Sequence, residues 1–176
     1  KERLKRCFKL SLGPAAQLSA VYFFEYVIST GAAADANPPA SESDPYIIRE
    51  SYVVLDLMYQ LGVLVSRSSL ECFRIRRIGI LTWLQAINLV LWCLQDITWA
   101  TGLAIQVPAM FYVGLLGGAM YVNVFYIIHA DPGIKPAEKE LCVTITTLWI
   151  TFGITLSSCF TLLMDNTWLR AHHNLE

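Results

Sequence analysis

Long apolar stretches separated by short polar segments dominate the chain. The apolar stretches cover residues 10–33, 46–66, 78–98, 103–129 and 141–164. Each is roughly as long as the 17 to 25 residues that an α-helix needs to cross the hydrocarbon of a bilayer. The pattern therefore predicts an all-α polytopic membrane protein with about five transmembrane helices.

The polar segments between the stretches carry helix-breaking or charged residues. Residues 34–45 contain Pro38, Pro39 and Pro45, which predict a loop outside the membrane. Residues 1–9 and 66–77 are rich in Lys and Arg, and residues 165–176 form a polar C-terminal tail. These four segments are predicted to lie outside the bilayer.

The distribution of positive charge predicts the orientation of the chain. Counted near the ends of the five predicted helices, all Lys and Arg residues except Arg49 and Arg170 fall on one side. The positive-inside rule therefore places residues 1–9 and 66–77 in the cytosol, and the loop 34–45 and the tail 165–176 on the lumenal side.

Composition narrows the classes of function. The formal net charge is −1, with the basic residues spread over several loops, so no nucleic-acid partner is predicted. Five cysteines occur without a C-x-x-C pair, and no metal or other cofactor is predicted. Because H-E-x-x-H and G-x-S-x-G motifs are also absent from the sequence, we do not expect an enzyme.

Four of the predicted helices carry polar residues at helical spacing, so that each has one polar face. Polar groups cannot face acyl chains unsatisfied, so we expect these faces to turn inward and line a polar cavity. The faces consist of Tyr22, Glu25 and Ser29 on the first helix, Tyr52, Asp56, Tyr59 and Gln60 on the second, Gln85, Asn88, Trp92 and Gln95 on the third, and Thr144, Thr147, Thr151, Thr155 and Ser158 on the fifth.

Glu25 is the acid predicted to lie deepest in the membrane. An ionisable group at that depth costs roughly 2.5 kcal/mol or more and is a functional-site hypothesis by default. One interpretation is a solute or proton pathway, and the other is a carboxyl group that bonds a neighbouring helix and determines packing. The candidate pathway residues are Glu25, Tyr22, Asp56, Gln85, Asn88 and Asn123.

The fourth predicted helix contains a cluster of glycines, Gly114, Gly117 and Gly118. The spacing of Gly114 and Gly118 is the small-xxx-small pattern that lets another helix approach closely. Helix packing is one interpretation, and a flexible point used in gating is the other.

The basic segment 66–77 has two interpretations as well. Its arginines satisfy the positive-inside rule without any further role. With the preceding Gly62, however, the pattern G-x-x-x-S-R resembles a cytosolic loop of major-facilitator transporters, in which arginines stabilise one access state. The candidate residues of such a gating loop are Ser66, Arg67, Arg74 and Arg76.

Five ordered blocks of sequence resemble the battenin family of lysosomal and fungal vacuolar membranes. The blocks are VYFFEY at 21–26, YQLG at 59–62, SRSSL at 66–70, CFRIR at 72–76 and LLGGAMYVN at 115–123. The loop 34–45 has no counterpart that aligns.

The resemblance implies that the chain corresponds to the C-terminal portion of an eleven-helix protein with a major-facilitator-like fold. It further implies a multi-pass protein of the lysosomal or vacuolar membrane, associated with organelle pH homeostasis and with transport of basic amino acids or glycerophosphodiesters. The implied partners are membrane lipids, a small-molecule solute and the N-terminal half of the same transporter. The alternative is a protein that does not transport, and that acts in membrane traffic through partners bound to its cytosolic loops.

Overall fold

The structure is a computed structural model that describes residues 2–68 and 74–166. Every regular element in these ranges is helical, which confirms the all-α class. The elements are α1 (Glu2–Tyr26), continued by a π-helical turn (Val27–Ala32), α2 (Tyr46–Arg49), α3 (Ser51–Ser68), α4 (Ile78–Thr98), α5 (Leu103–Ala130) and α6 (Pro136–Met164).

The helix ends agree with the predicted ones in the middle of the chain and differ elsewhere. Helix α4 begins and ends as predicted, whereas α1 already begins at Glu2, so that the basic segment is helical and not a separate extension. The stretch 46–66 is broken at Glu50 into α2 and α3. Helix α6 begins at Pro136, because proline fits the first turn of a helix, where its missing N–H is not needed.

Three of the helices within the described ranges are long and apolar enough to cross a membrane. They are α4, α5 and α6, with mean hydropathies of 1.5, 1.7 and 1.6. Charged residues occupy the first turns of α1, and α3 has only 18 residues and includes Asp56 and Arg67. The protein is thus a helical membrane protein, while the five spans and the major-facilitator-like arrangement stay predictions.

Helices α3 and α5 run in the same direction and touch through their backbones. A Cβ atom on Gly62 would overlap the carbonyl oxygen of Phe111, and one on Gly114 would overlap the carbonyl oxygen of Tyr59. Glycine is therefore required at both positions by the close approach of the two helices.

The same contact continues one turn further at Gly118 and Ser66. A Cβ atom on Gly118 would lie 2.9 Å from the Cβ of Ser66. The Ser66 hydroxyl donates a hydrogen bond to the carbonyl oxygen of Leu115 at 2.7 Å. Ser66 and Arg67 lie in α3, so the prediction that they belong to a loop is wrong.

Helix α1 lies at the centre of the bundle and packs along α6. Gly153 of α6 faces the backbone of Ser19, and a Cβ atom on Gly31 would lie 3.1 Å from the Thr161 side chain. The two helices therefore also run in the same direction. Helix α4 packs against both α1 and α5.

A network of amide side chains joins the segment after α1 to the connection between α4 and α5. The amides of Gln106 and Asn37 form a reciprocal pair, with N–O distances of 2.9 and 3.0 Å. Gln106 also donates to the carbonyl of Thr101 at 2.8 Å. Gln95 donates to the same carbonyl and to that of Ala36, both at 3.0 Å.

The substitution Gln106→Leu is expected to destabilise the protein by about 1–3 kcal/mol. It removes the partner of the Asn37 amide and leaves buried polar groups without hydrogen bonds. Thermal unfolding of the purified protein in detergent measures the effect, with Gln60→Leu as a control, because Gln60 is exposed on α3. Equal melting temperatures of the two variants would show that the network contributes little.

Candidate functional site

Glu25 lies in the interior, where α1, α3 and α5 meet. Its side chain is 1% exposed, and its Oε2 atom has no hydrogen-bond partner among the described residues. The hydroxyl of Tyr59 on α3 lies within hydrogen-bonding reach of the carboxyl group. A buried carboxyl group with an unused oxygen has the capacity to bind a proton or a ligand.

Gly117 of α5 provides the space for this carboxyl group. A Cβ atom at this position would overlap the Glu25 carboxyl group. Gly117 therefore differs from Gly114 and Gly118, which contact α3. The sequence analysis treated the three glycines as one group, for helix packing or for gating, whereas the structure gives them two different sets of contacts.

Arg67, in the last turn of α3, connects the site to its exposed edge. Its Nη2 atom donates to the hydroxyl of Tyr22 at 3.2 Å. Its guanidinium lies 4.4 Å from the ring centroid of Tyr121, which is the geometry of a cation–π contact. Arg67 itself is exposed. We call Tyr22, Glu25, Tyr59, Arg67, Gly117 and Tyr121 the Glu25 cluster.

Asn123 and Arg74 lie next to the cluster, on the side of the basic segment. Asn123 accepts a hydrogen bond from the backbone N–H of Ile75 at 2.6 Å and donates to the carbonyl of Ala119 at 2.8 Å. The Arg74 guanidinium lies 5.0 Å from the ring centroid of Tyr126. The structure thus places Asn123 as an anchor for the start of α4, outside the Glu25 cluster.

Some of the predicted basic loop and all but the first residues of the predicted tail cannot be compared with the structure. Arg76 is exposed. Residues 69–73 lie outside the described residues. The tail from residue 167 onward lies outside the described residues as well.

The polar face of α4 turns inward as expected. Gln85, Asn88, Trp92 and Gln95 are all buried. Both amide atoms of Gln85 and the Nδ2 atom of Asn88 lack hydrogen-bond partners among the described residues. These two side chains are therefore buried polar groups with unused bonding capacity.

The other two polar faces differ from the prediction. Of the four residues predicted to form the polar face of α3, only Tyr59 is buried. Asp56 is half-buried, and Tyr52 and Gln60 are exposed.

The predicted threonine face of α6 does not pack against the other described helices. All five of its residues are exposed, and their hydroxyls donate to carbonyls one turn earlier in the same helix. Such bonds satisfy Ser and Thr hydroxyls without a neighbouring helix. The buried polar residues of α6 lie on another face, at Glu138, Thr146, Ser157 and Thr161.

Two features of the site escaped the sequence analysis, although one had a visible signal. Gly62 and Ser66 have the same small-xxx-small spacing on α3 that drew attention to α5, and the two patterns face each other. Tyr121 had no such signal, because its role depends on a side chain from α3. Among the described residues, no group of three or more His, Cys, Asp or Glu side chains converges on a metal position.

A protein-family model described as "CLN3 protein" matches residues 1–171. The chain belongs to the CLN3 protein family. This places the Glu25 cluster in a CLN3 family membrane protein and confirms the resemblance noted from the five sequence blocks.

Relatives of this CLN3 family chain include proteins from an amoeba and from fungi. It is 44% identical over 170 residues to a protein named battenin from Dictyostelium discoideum, a match that covers 96% of the chain and 40% of the relative. It is 37% identical to protein BTN1 of Yarrowia lipolytica, covering 82% of the chain and 36% of the relative. For protein BTN1 of Saccharomyces cerevisiae the identity is 34%, covering 89% and 40%.

The CLN3 family chain spans about two fifths of the length of these curated relatives. No solved structure matches it significantly.

Proposed function

We propose that this chain is part of a solute transporter of the lysosomal or vacuolar membrane, in which the Glu25 cluster binds a proton or the solute. The observation that carries the proposal is the buried Glu25 carboxyl group, which has an unused oxygen and a glycine that makes room for it. Acids inside membrane proteins commonly mark proton or substrate pathways.

The side chains around Glu25 suit a carboxyl group that alternates between its ionised and protonated forms. Two tyrosines lie next to Glu25, and Arg67 reaches one of them from the exposed end of α3. A hydroxyl group can donate or accept, so the tyrosines can stay bonded whether the carboxyl group is ionised or protonated. Arg67 supplies a positive charge that can attract an anionic group of a solute.

The expected partner of this chain is the rest of the transporter. Substrate sites in secondary transporters lie near the midplane, at the interface between two repeats. The Glu25 cluster would then form one wall of such a site. Basic amino acids and glycerophosphodiesters are the solutes implied by the family, and a contribution to organelle pH follows if protons are the coupled ion.

The test is Glu25→Gln in the full-length protein reconstituted in vesicles. We expect uptake of radiolabelled lysine or of a glycerophosphodiester to fall at least about tenfold, the factor that corresponds to 1.4 kcal/mol. Glu138→Gln is the matched control, because Glu138 is also a buried acid with an unpartnered oxygen but lies on α6, outside the cluster. Unchanged uptake in Glu25→Gln would refute the role of the Glu25 cluster, and absence of uptake by the parent full-length protein would refute transport itself.

The second candidate function is recruitment of cytosolic partners. Arg76 and Arg77 favour it, because both are exposed just before α4. Replacing both by glutamine would then abolish partner capture from cytosol. Loss of capture in this variant, together with absence of uptake by the parent protein, would support recruitment instead of transport.

A further inference from the structure

An apolar groove runs between the first turns of α1 and the middle of α6. Its volume is about 620 Å³. Its walls include Leu4 and Phe8 from α1 and Leu148, Trp149 and Phe152 from α6. We call it the α1–α6 groove.

The groove is continuous with the apolar outer surface of α6. Leu148 and Phe152 are exposed on a helix that is long and apolar enough to cross the bilayer. The Trp149 ring packs between Phe8 and Phe152, with centroid separations of 6.3 and 6.0 Å. These contacts shape a surface that an acyl chain can fill, because hydrocarbon needs no hydrogen-bond partner.

One charged side chain, Lys5, lines the groove. Cys7 is in contact with the backbone of Glu138, so Lys5 lies near the first turn of α6, at the predicted cytosolic surface. Lys5 forms no hydrogen bond or ion pair with any described residue, in contrast to Arg6, which donates to the carbonyl of Gly133 at 3.0 Å. At the predicted cytosolic end of a membrane helix, a cation is expected to lie near the lipid phosphates.

The charge around Lys5 is positive. Arg3 and Lys9 on the same helix are exposed and form no bond with a described residue. The exposed acids of the same two helices at this end are Glu2 and Glu140. Basic clusters at the cytosolic end of a membrane helix attract anionic lipids.

We propose that the α1–α6 groove binds an anionic phospholipid of the cytosolic leaflet, with one acyl chain along Trp149 and the phosphate at Lys5. The site is separate from the Glu25 cluster and does not depend on the transport proposal. A neutral phospholipid would fill the apolar part equally well but would gain less from Lys5, since it has no net charge. Charge complementarity therefore favours the anionic lipid.

Quenching of tryptophan fluorescence by brominated lipids tests this site directly. The full-length protein is reconstituted in vesicles that contain either brominated phosphatidylserine or brominated phosphatidylcholine in a non-brominated background. The fluorescence of Trp149 and its quenching are obtained as the difference between the signals of the parent protein and of Trp149→Phe. We expect Trp149 to be quenched more strongly by the brominated phosphatidylserine.

Trp83 provides an internal control for ordinary lipid contact. It is 74% exposed on α4 and does not line the groove. The quenching of Trp83, measured in the same way with Trp83→Phe, should be equal for the two brominated lipids. A headgroup preference at both tryptophans would reflect only enrichment of anionic lipid around the whole protein and would contradict a specific site.

Lys5→Gln tests the role of the cation. One Lys near an anionic surface contributes about 1 kcal/mol, so the preference of Trp149 for the anionic lipid should fall about fivefold. Lys135→Gln is the control, because Lys135 is exposed but does not line the groove. Size-exclusion profiles verify that both variants remain folded.

Three outcomes would overturn the proposal. Equal quenching of Trp149 by both lipids would show ordinary contact with the bilayer. Absence of quenching by either lipid would show that another part of the full-length protein covers the groove. A preference that persists in Lys5→Gln would show that Lys5 does not hold the headgroup.

Discussion

Gly117→Ala is expected to remove most of the uptake activity of the full-length protein while leaving its helices assembled. The added methyl group would occupy the position of the Glu25 carboxyl group, so the carboxyl group must move away from Tyr59 and from its position between the helices. The backbones of α1 and α5 need not separate, because the atoms that overlap belong to a side chain. We expect uptake to fall at least about tenfold, as for Glu25→Gln.

A double variant separates displacement of Glu25 from a general packing defect. Gly117→Ala should lower the melting temperature of the parent protein, but it should have little effect in the Glu25→Ala background, where the space is vacant. Such non-additivity is typical of side chains in direct contact. Gly79→Ala is the control, since a Cβ atom there would meet only the Gln17 side chain at 3.8 Å. Normal uptake in Gly117→Ala would contradict a role for the position of Glu25.

Gly114→Ala is expected to have the largest effect on stability. The new Cβ would overlap the carbonyl oxygen of Tyr59, which is backbone and cannot rotate away. Helices α3 and α5 would have to separate, which also stretches the hydrogen bond from Ser66 to Leu115. Overpacking of this kind costs about 1–3 kcal/mol, and loss of the bond adds to it.

Thermal unfolding followed by fluorescence-detected size exclusion measures this destabilisation. Gly102→Ala is the matched control at the start of the same helix, because no atom lies within 4 Å of its added Cβ. We expect a clear fall in melting temperature for Gly114→Ala and little change for Gly102→Ala. Comparable curves would mean that α3 and α5 are further apart than described.

The helices were predictable from the sequence wherever the apolar pattern alone determines them. Helix α4 was predicted at both ends, because a mostly apolar stretch begins directly after Arg77 and is separated from the next one by residues 99–102. The start of α6 was missed, because residues 136–140 are polar and helical outside the apolar stretch. Ser66 was assigned to a loop, because its place in a basic segment outweighed its small-residue spacing from Gly62.

The site was predictable only in part, because a polar residue in a helix can bond either to its own helix or to a neighbouring one, and the sequence pattern does not distinguish the two. Glu25 and Gln85 are inward-facing as expected, since neither can satisfy its polar atoms within its own helix. The threonines of α6 can do so, and their spacing alone therefore does not indicate a cavity. The contact of Arg67 with Tyr121 requires knowledge of how α3 and α5 are aligned, which no single helix pattern contains.

Close backbone contacts at glycines join four helices of the bundle into two pairs. Gly62 and Gly114 lock α3 to α5, and Gly153 joins α6 to α1 at Ser19. Glu25 lies between these two pairs, because it belongs to α1 and its carboxyl group contacts Gly117 of α5. A relative shift of the two pairs would therefore change the surroundings of this carboxyl group, while the glycine contacts within each pair stay intact.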